Sequence, residues 1–323
     1  MKLNWLGPVF GAGVRARNAL YDRRLLSSRK LRGPVVSVGN LSVGGSGKTP
    51  FVILLGQLLK DRGVKFDVLS RGYGRTSKGV RLVDPNGPPQ EFGDEPLLIA
   101  RRLQAPVVVG EERYAAGLLA EEKFDPQLHL LDDGFQHRAL ARDFDIVLVT
   151  PEDARDRMLP AGRLREPLAS LRRADAAVLM SGASEASFPL QAKLVWRVRR
   201  GITLPAVPQR VVAFCGIARP QNFFHQLRAA GLHPVAEAVY RDHHSYTAND
   251  VQELLKVRQE TEAGGFVTTE KDVVNLAAHR AALEPLSIVP VNMKLENAAD
   301  VVDTLLRAIE ERRRGHEKIL VTP

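Results

Sequence analysis

Pro34-Val35-Val36-Ser37-Val38-Gly39-Asn40-Leu41-Ser42-Val43-Gly44-Gly45-Ser46-Gly47-Lys48-Thr49-Pro50 is the stretch on which the reading of this chain turns. Its β-branched opening predicts a buried strand. Its glycines predict a tight turn, and Phe51-Val52-Ile53-Leu54-Leu55-Gly56-Gln57-Leu58-Leu59-Lys60 predicts the helix that follows. Strand, glycine-rich loop and helix together let backbone N–H groups converge on an anion at a helix N-terminus. That context makes Gly44, Gly45, Ser46, Gly47, Lys48 and Thr49 candidates for cradling nucleotide phosphates. Lys48 supplies a mobile positive charge for the outer phosphates, and the Thr49 hydroxyl is placed to ligate Mg²⁺. Pro50 suits the first helical turn, where its missing N–H is not needed.

The strict Walker pattern places a glycine five residues before Gly47, where this chain has Ser42. The double glycine is shared with the deviant loops of partitioning ATPases. Those loops carry a lysine just before the pair, and here that position is Val43.

With 323 residues, the chain is long enough for two domains. The stretch Leu204-Pro205-Ala206-Val207-Pro208 reads as a linker. The expected division is therefore a basic surface segment over 1–30, a phosphate-loop α/β domain over 31–203, and a smaller α/β domain over 204–323 joined by a hinge. Cys215 is the single cysteine, which excludes a disulfide framework and a cysteine-based metal site. The net charge is +9, and residues 1–32 carry eight basic residues against one acid, Asp22. Such concentration of charge argues against a nucleic-acid binder, which spreads its basic surface over the fold. The same segment carries Trp5, Leu6, Val9, Phe10, Val14, Leu20, Leu25 and Leu26. It is too short and interrupted to span a bilayer. A basic helix with one apolar face suits the plane of an anionic membrane surface.

Further motifs follow in order. Phe66–Ser70 predicts a strand, and Arg71, Tyr73 and Arg75 follow it on the edge where α/β sheets bind ligands. Asp94 is a plausible helix cap, with Glu95 beside it; either could instead act as a base or face a metal. Leu128-His129-Leu130-Leu131-Asp132-Asp133 has the form of a strand that delivers carboxylates beside phosphates and Mg²⁺. Between strands at 145–149 and 176–180, the stretch Met158 to Leu168 holds Arg163, Arg165 and Glu166, and reads as a lid or an acceptor contact. In the C-terminal part, Asp242-His243-His244 suggests one histidine assisting proton transfer rather than a metal pair, because neighbours on an extended segment point to opposite faces. Thr269-Glu270-Lys271-Asp272 lies at a strand-to-helix turn with the wrong spacing for a guanine-reading motif. One strand is predicted over 288–293 and a last helix over 298–314.

Taken in order, these blocks resemble the lipid A 4′-kinase family, the tetraacyldisaccharide 4′-kinases. The carrying residues are the phosphate loop from Asn40 to Pro50, Ser70-Arg71-Gly72-Tyr73-Gly74-Arg75, Gly93-Asp94-Glu95-Pro96, Leu131 to Arg138, Asp242-His243-His244-Ser245-Tyr246 and Thr269-Glu270-Lys271-Asp272. The resemblance accounts for Ser42, since the family carries that variant loop. It implies a RecA-like P-loop core with a mainly parallel sheet and a smaller C-terminal α/β domain. It implies transfer of the γ-phosphate of ATP to the 4′-hydroxyl of a tetraacylated disaccharide 1-phosphate, on the cytoplasmic face of the bacterial inner membrane. The implied partners are that glycolipid and anionic phospholipid, with no nucleic acid and no obligate protein partner. By the same resemblance Lys48 neutralises phosphate charge, and Thr49 with Asp132 and Asp133 holds Mg²⁺. Asp94 would accept the sugar hydroxyl proton, paired with His243 or His244 once the domains close. Glu95, Arg113 and Glu166 match further site positions, and Arg71, Tyr73 and Arg75 are added as acceptor contacts. The alternatives are a membrane-associated P-loop ATPase of partitioning type and a non-catalytic nucleotide sensor.

Overall fold

The computed structural model describes residues 6–190 and 193–320. The strands are β1 (Val35–Asn40), β2 (Phe66–Ser70), β3 (Arg81–Leu82), β4 (Val107–Val109), β5 (Leu128–Asp132), β6 (Phe144–Val149), β7 (Ala176–Met180), β8 (Leu194–Ile202), β9 (Val211–Cys215), β10 (Ala236–Val239), β11 (Gly265–Thr269), β12 (Leu286–Val289) and β13 (Val291–Leu295). The helices are α1 (Leu6–Asp22), α2 (Lys48–Asp61), α3 (Pro89–Phe92), α4 (Asp94–Leu103), α5 (Arg113–Phe124), α6 (Pro220–Ala229), α7 (Ala248–Glu260), α8 (Glu270–Leu276) and α9 (Ala298–Leu320).

Among the described residues two sheets form. The larger runs β13-β8-β7-β6-β1-β5-β2-β4-β3, and the smaller runs β10-β9-β11-β12. Every pairing is parallel except at the two edges of the larger sheet, where β3 and β13 run antiparallel. Parallel strands covered on both faces read as continuous apolar runs, which is why β1, β6 and β7 stood out in the sequence. All six residues of β1 are buried. On one face Val36 and Val38 pack with Phe51, Leu55 and Leu59 of α2 and with Val302 and Leu305 of α9. On the other, Val35 and Leu131 meet Leu31 and Ala116 and Ala120 of α5.

Two expectations are corrected. The strand predicted over 288–293 is two strands, broken at Pro290, which has no N–H to continue a ladder. β12 belongs to the smaller sheet, whereas β13 pairs with β8 in the larger one. The division at 203/204 therefore fails at the C-terminal end. The small sheet occupies 211–289, and the chain from Val291 onward rejoins the phosphate-loop unit, with α9 against α2 and β6.

The N-terminal segment forms α1, while Lys2, Leu3 and Trp5 lie outside the described residues. Gly7 and Gly11 face the loop at Met158 to Ala161, so α1 lies close against the body. Val9, Phe10, Leu20, Leu25 and Leu26 are exposed. Towards its end Tyr21 sits between the guanidinium groups of Arg17 and Arg138, and Asp22 pairs with Arg138 and Arg172. No helix among the described residues is long and apolar enough to cross a membrane.

Candidate active site

The phosphate loop turns through Gly44, Gly45 and Gly47 at φ of 70°, 67° and 87°, values open to glycine at little cost. Ser42 is not among the positive-φ residues, so a side chain is tolerated where the strict pattern has glycine. Upstream, Gly39 is required for another reason. A Cβ there would lie 2.5 Å from Cβ of Phe135, so only glycine lets the turn after β5 cross β1. Asn40 then organises the loop: its Nδ2 donates to Ser42 O at 2.7 Å, and its Oδ1 accepts from Lys48 Nζ at 3.1 Å.

β5 pairs with β1 and brings Asp132 and Asp133 to the same edge. Asp133 adopts φ of 49°, a strained conformation for a non-glycine residue that turns its carboxylate towards Lys48. Arg165 grips that carboxylate with both Nη atoms, at 2.9 and 2.7 Å, and Lys48 Nζ lies 3.6 Å away. Against the effect of burial, Lys48, Arg165 and Arg113 hold Asp133 well below the usual carboxylate range. Asp132 is the opposite case. Burial, with Glu95 and Asp133 nearby, pushes its carboxyl up to about 7 despite Lys48 and a 3.0 Å hydrogen bond from Ser70. Its Oδ1 is buried with no hydrogen-bond partner. An orphaned carboxylate oxygen next to a second carboxylate, in a cleft that Thr49 also lines, fits Mg²⁺, which takes few protein oxygens and keeps several waters.

The smaller sheet delivers the other half of the site. His243, at φ of 58°, places Nδ1 2.9 Å and 3.0 Å from the two carboxylate oxygens of Asp94. Asn275 Nδ2 donates to the same carboxylate at 3.0 Å, and Lys271 Nζ is 3.7 Å from it. Burial would raise Asp94, but His243, Lys271 and Asn275 together bring it below the ordinary carboxylate value. Burial and Lys271 oppose charge on His243; the Asp94 hydrogen bond outweighs them and raises it. Both halves line one cleft of about 1090 Å³, walled by Lys48, Thr49, Asp132 and Asp133 on one side and by Arg219, Asp242, His243 and Lys271 on the other.

The structure sorts the remaining candidates. Arg71, Tyr73, Glu95 and Arg113 line the cleft. Arg113 is largely buried, with Nε unpartnered. Arg75 does not line it; its guanidinium is taken up by Glu111, at 2.7 Å, and by Gly79 O. Glu166 is 2% exposed and turned away, bonded to Asn18 of α1 and Arg173 at 2.8 Å each. His244 faces away from Asp94: Nε2 meets Asp250 at 3.0 Å and the ring stacks on Tyr240. Asp94 does not cap α4. Gly93 holds that position with φ of 88°, and Asp94 is the first helical residue. Thr247, by contrast, closes a full capping box on α7 with Asp250. The stretch around 158–166 is a clasp rather than a free lid, because Arg163 donates to the carbonyls of Val43 and Gly44 at 2.9 Å. Asn40, Arg165, Lys271 and Asn275 carry contacts that the motifs did not assign. For Lys271 a signal existed, since it lies just past the C-terminal end of a parallel strand, where such sheets bind ligands.

The profile of a family described as LpxK, tetraacyldisaccharide-1-P 4′-kinase, matches residues 1–310. The chain belongs to this family. A tetraacyldisaccharide 4′-kinase of Koribacter versatilis is 52% identical over 321 residues, covering 96% of this chain and all of the relative. One from Aquifex aeolicus is 41% identical over 283 residues, covering 82% of this chain and 86% of the relative. A crystal structure of LpxK from Aquifex aeolicus in complex with ATP superposes with a TM-score of 0.78 at 36% identity, covering 94% of this chain and 97% of that one. Membership of the tetraacyldisaccharide 4′-kinases settles the P-loop fold and the phosphotransferase class, and sets aside the partitioning ATPase and the nucleotide sensor.

Proposed function

We infer that the protein transfers the γ-phosphate of ATP to the 4′-hydroxyl of a tetraacylated disaccharide 1-phosphate in lipid A biosynthesis. The observation that carries the residue assignment is the meeting of Asp94 and His243, 149 residues apart in sequence, in the cleft that holds the phosphate loop.

Phosphoryl transfer needs positioning and charge neutralisation more than covalent chemistry. Backbone N–H groups from Gly44 to Thr49 hold the phosphate chain. Lys48, held by Asn40 and Asp133, meets the outer phosphates with its ammonium already placed. Thr49, Asp132 and Asp133 would hold Mg²⁺, which neutralises charge on the phosphate oxygens when bound. Asp94 accepts the hydroxyl proton as the sugar oxygen attacks, and the Nδ1–H of His243 orients the carboxylate that receives it. Arg71, Tyr73, Glu95 and Arg113, which line the cleft, would contact the acceptor. Arg75, Glu166 and His244 support the fold around it.

The acceptor is a lipid, so the site must sit at a membrane surface. The exposed apolar side chains of α1, flanked by arginines, fit the cytoplasmic face of the inner membrane and anionic phospholipid. Incubation with labelled ATP, Mg²⁺ and the disaccharide lipid in detergent tests the reaction. Radiolabelled lipid is the expected product; ATP turnover without it would reject the assignment.

A further inference from the structure

Lys271 sits in the first turn of α8, at the end of a helix where a cation is disfavoured by the backbone dipole. Carboxylates hold it there. Its Nζ is 2.9 Å from Asp242 Oδ1, 3.7 Å from Asp94 and 3.9 Å from Glu95. A fourth contact is of another kind, for Nζ is 3.2 Å from Nε2 of His243. An ammonium group has donors and no acceptor, so Nε2 must present its lone pair. A carboxylate has acceptors and no donor, so the Nδ1 that faces Asp94 must carry the proton. Among the described residues the other acidic oxygen near Nε2, on Asp242, is 3.8 Å away, too far for a hydrogen bond. The groups around the ring are thus Asp94 from α4, Lys271 from α8, Asp242 from its own loop and the ring of Tyr73 at 5.2 Å, with Glu95 of α4 beside Lys271 Nζ.

We propose that Lys271 is a positioning residue that fixes the proton of His243 on Nδ1 and so aims that N–H at Asp94. The inference rests on the reading of Asp94 as the base. Which ring nitrogen carries the proton is set by what the other nitrogen meets, and here it meets a cation. The consequence is electrostatic. A doubly protonated imidazole would set two positive groups against Asp94 and weaken it as a base. Lys271 opposes the second proton that Asp94 favours, and whenever the ring is neutral it leaves the carboxylate facing one full positive charge and one oriented dipole. Lys271 takes no proton in the reaction; the hydroxyl proton goes to Asp94.

The test compares the full-length wild type with Lys271→Met, Lys271→Gln and Lys271→Arg. The pH profile of kcat and the ¹⁵N signals of the His243 ring, assigned with His243→Gln, are read for each. In the wild type the signals should show Nδ1 protonated and Nε2 bare. In Lys271→Met, Asp94 and Asp242 face the ring unopposed, so the His243 midpoint and the acidic limb of kcat should both move to higher pH. At pH 7 kcat should fall by about tenfold or more, with the KM for ATP unchanged. Lys271→Gln should give the same shift if Met does not fold, because it keeps a donor but no charge. Lys271→Arg should restore the wild-type midpoint. An unmoved His243 midpoint in the Met or Gln variant overturns the proposal, as does a wild-type ring protonated on Nε2. Asp94→Asn is run in parallel: its kcat reports on the base alone, whereas the ring signals report on Lys271 whatever that kcat proves to be.

Discussion

The side-chain amide of Asn18 donates a 2.8 Å hydrogen bond to the buried carboxylate of Glu166, across 148 residues of sequence. Arg173 completes the group. The surface helix is thereby fastened to the loop whose neighbouring arginines hold Asp133 and the phosphate-loop carbonyls. Glu166→Ala leaves a buried guanidinium without its carboxylate and should cost on the order of 3–5 kcal/mol of stability. Asn18→Ala should cost about 1 kcal/mol. Urea unfolding measures both. A Glu166→Ala protein of normal stability with a raised KM for lipid would return Glu166 to the role of acceptor contact.

The two adjacent histidines should separate cleanly. His243→Ala should lower kcat steeply, and Asp94→Ala should lower it by at least about 100-fold with ATP binding retained. His244→Phe keeps the stack on Tyr240 and should leave kcat within a few-fold of normal. A larger loss in His244→Phe than in His243→Ala would reverse the assignment.

Lys48→Ala should abolish formation of phosphorylated lipid, since backbone amides alone cannot neutralise the charge that develops on the outer phosphates. Asn40→Ala should act in the same direction but more weakly, because it frees the ammonium without removing it. Radiolabelled product over time distinguishes the two.

Val9 and Phe10 are exposed on α1, at 59% and 39%. Val9→Glu with Phe10→Glu should reduce sedimentation with anionic vesicles, by removing apolar contact and adding repulsion. Turnover of a detergent-dispersed acceptor should be spared. Unchanged sedimentation would end the membrane role of this face.

A buried ion pair far from the cleft should give the fold a pH dependence of its own. His129 Nδ1 lies 2.9 Å from Asp67 and Nε2 lies 3.3 Å from Glu121. Both ring nitrogens face carboxylates, and despite burial Asp67 and Glu121 raise His129 above its ordinary value. A group raised in the folded state stabilises it fully below the unfolded value and loses that contribution as pH rises through the folded one. Urea midpoints should therefore fall on going from about pH 6 to above the His129 midpoint. The fall should shrink in His129→Gln.

Much of this was legible because it depends on local chemistry. Gly44 to Thr49 needs only a strand, a turn open to positive φ and a helix. The run ending in Asp132-Asp133 needs only apolar residues before two acids. What stayed hidden depends on long-range contact. Nothing near Glu166 in sequence announces Asn18, and the choice between His243 and His244 is made by a left-handed backbone turn. The membership of β13 in the larger sheet was equally invisible. Its apolar pattern is that of β12, and the proline between them reads as a kink as readily as a change of sheet.

That return of the chain has a mechanical meaning. Ile202 and Val291 are opposite partners on one rung of the β8–β13 ladder. The unit carrying His243 and Lys271 therefore leaves and re-enters at a single point, like a bulb on a two-stranded stem. A stem of two bonded strands resists swivelling far better than one strand, yet still bends. A second tie runs across the gap, where Asp94 of α4 bonds both His243 and Asn275 and holds that unit beside the phosphate loop.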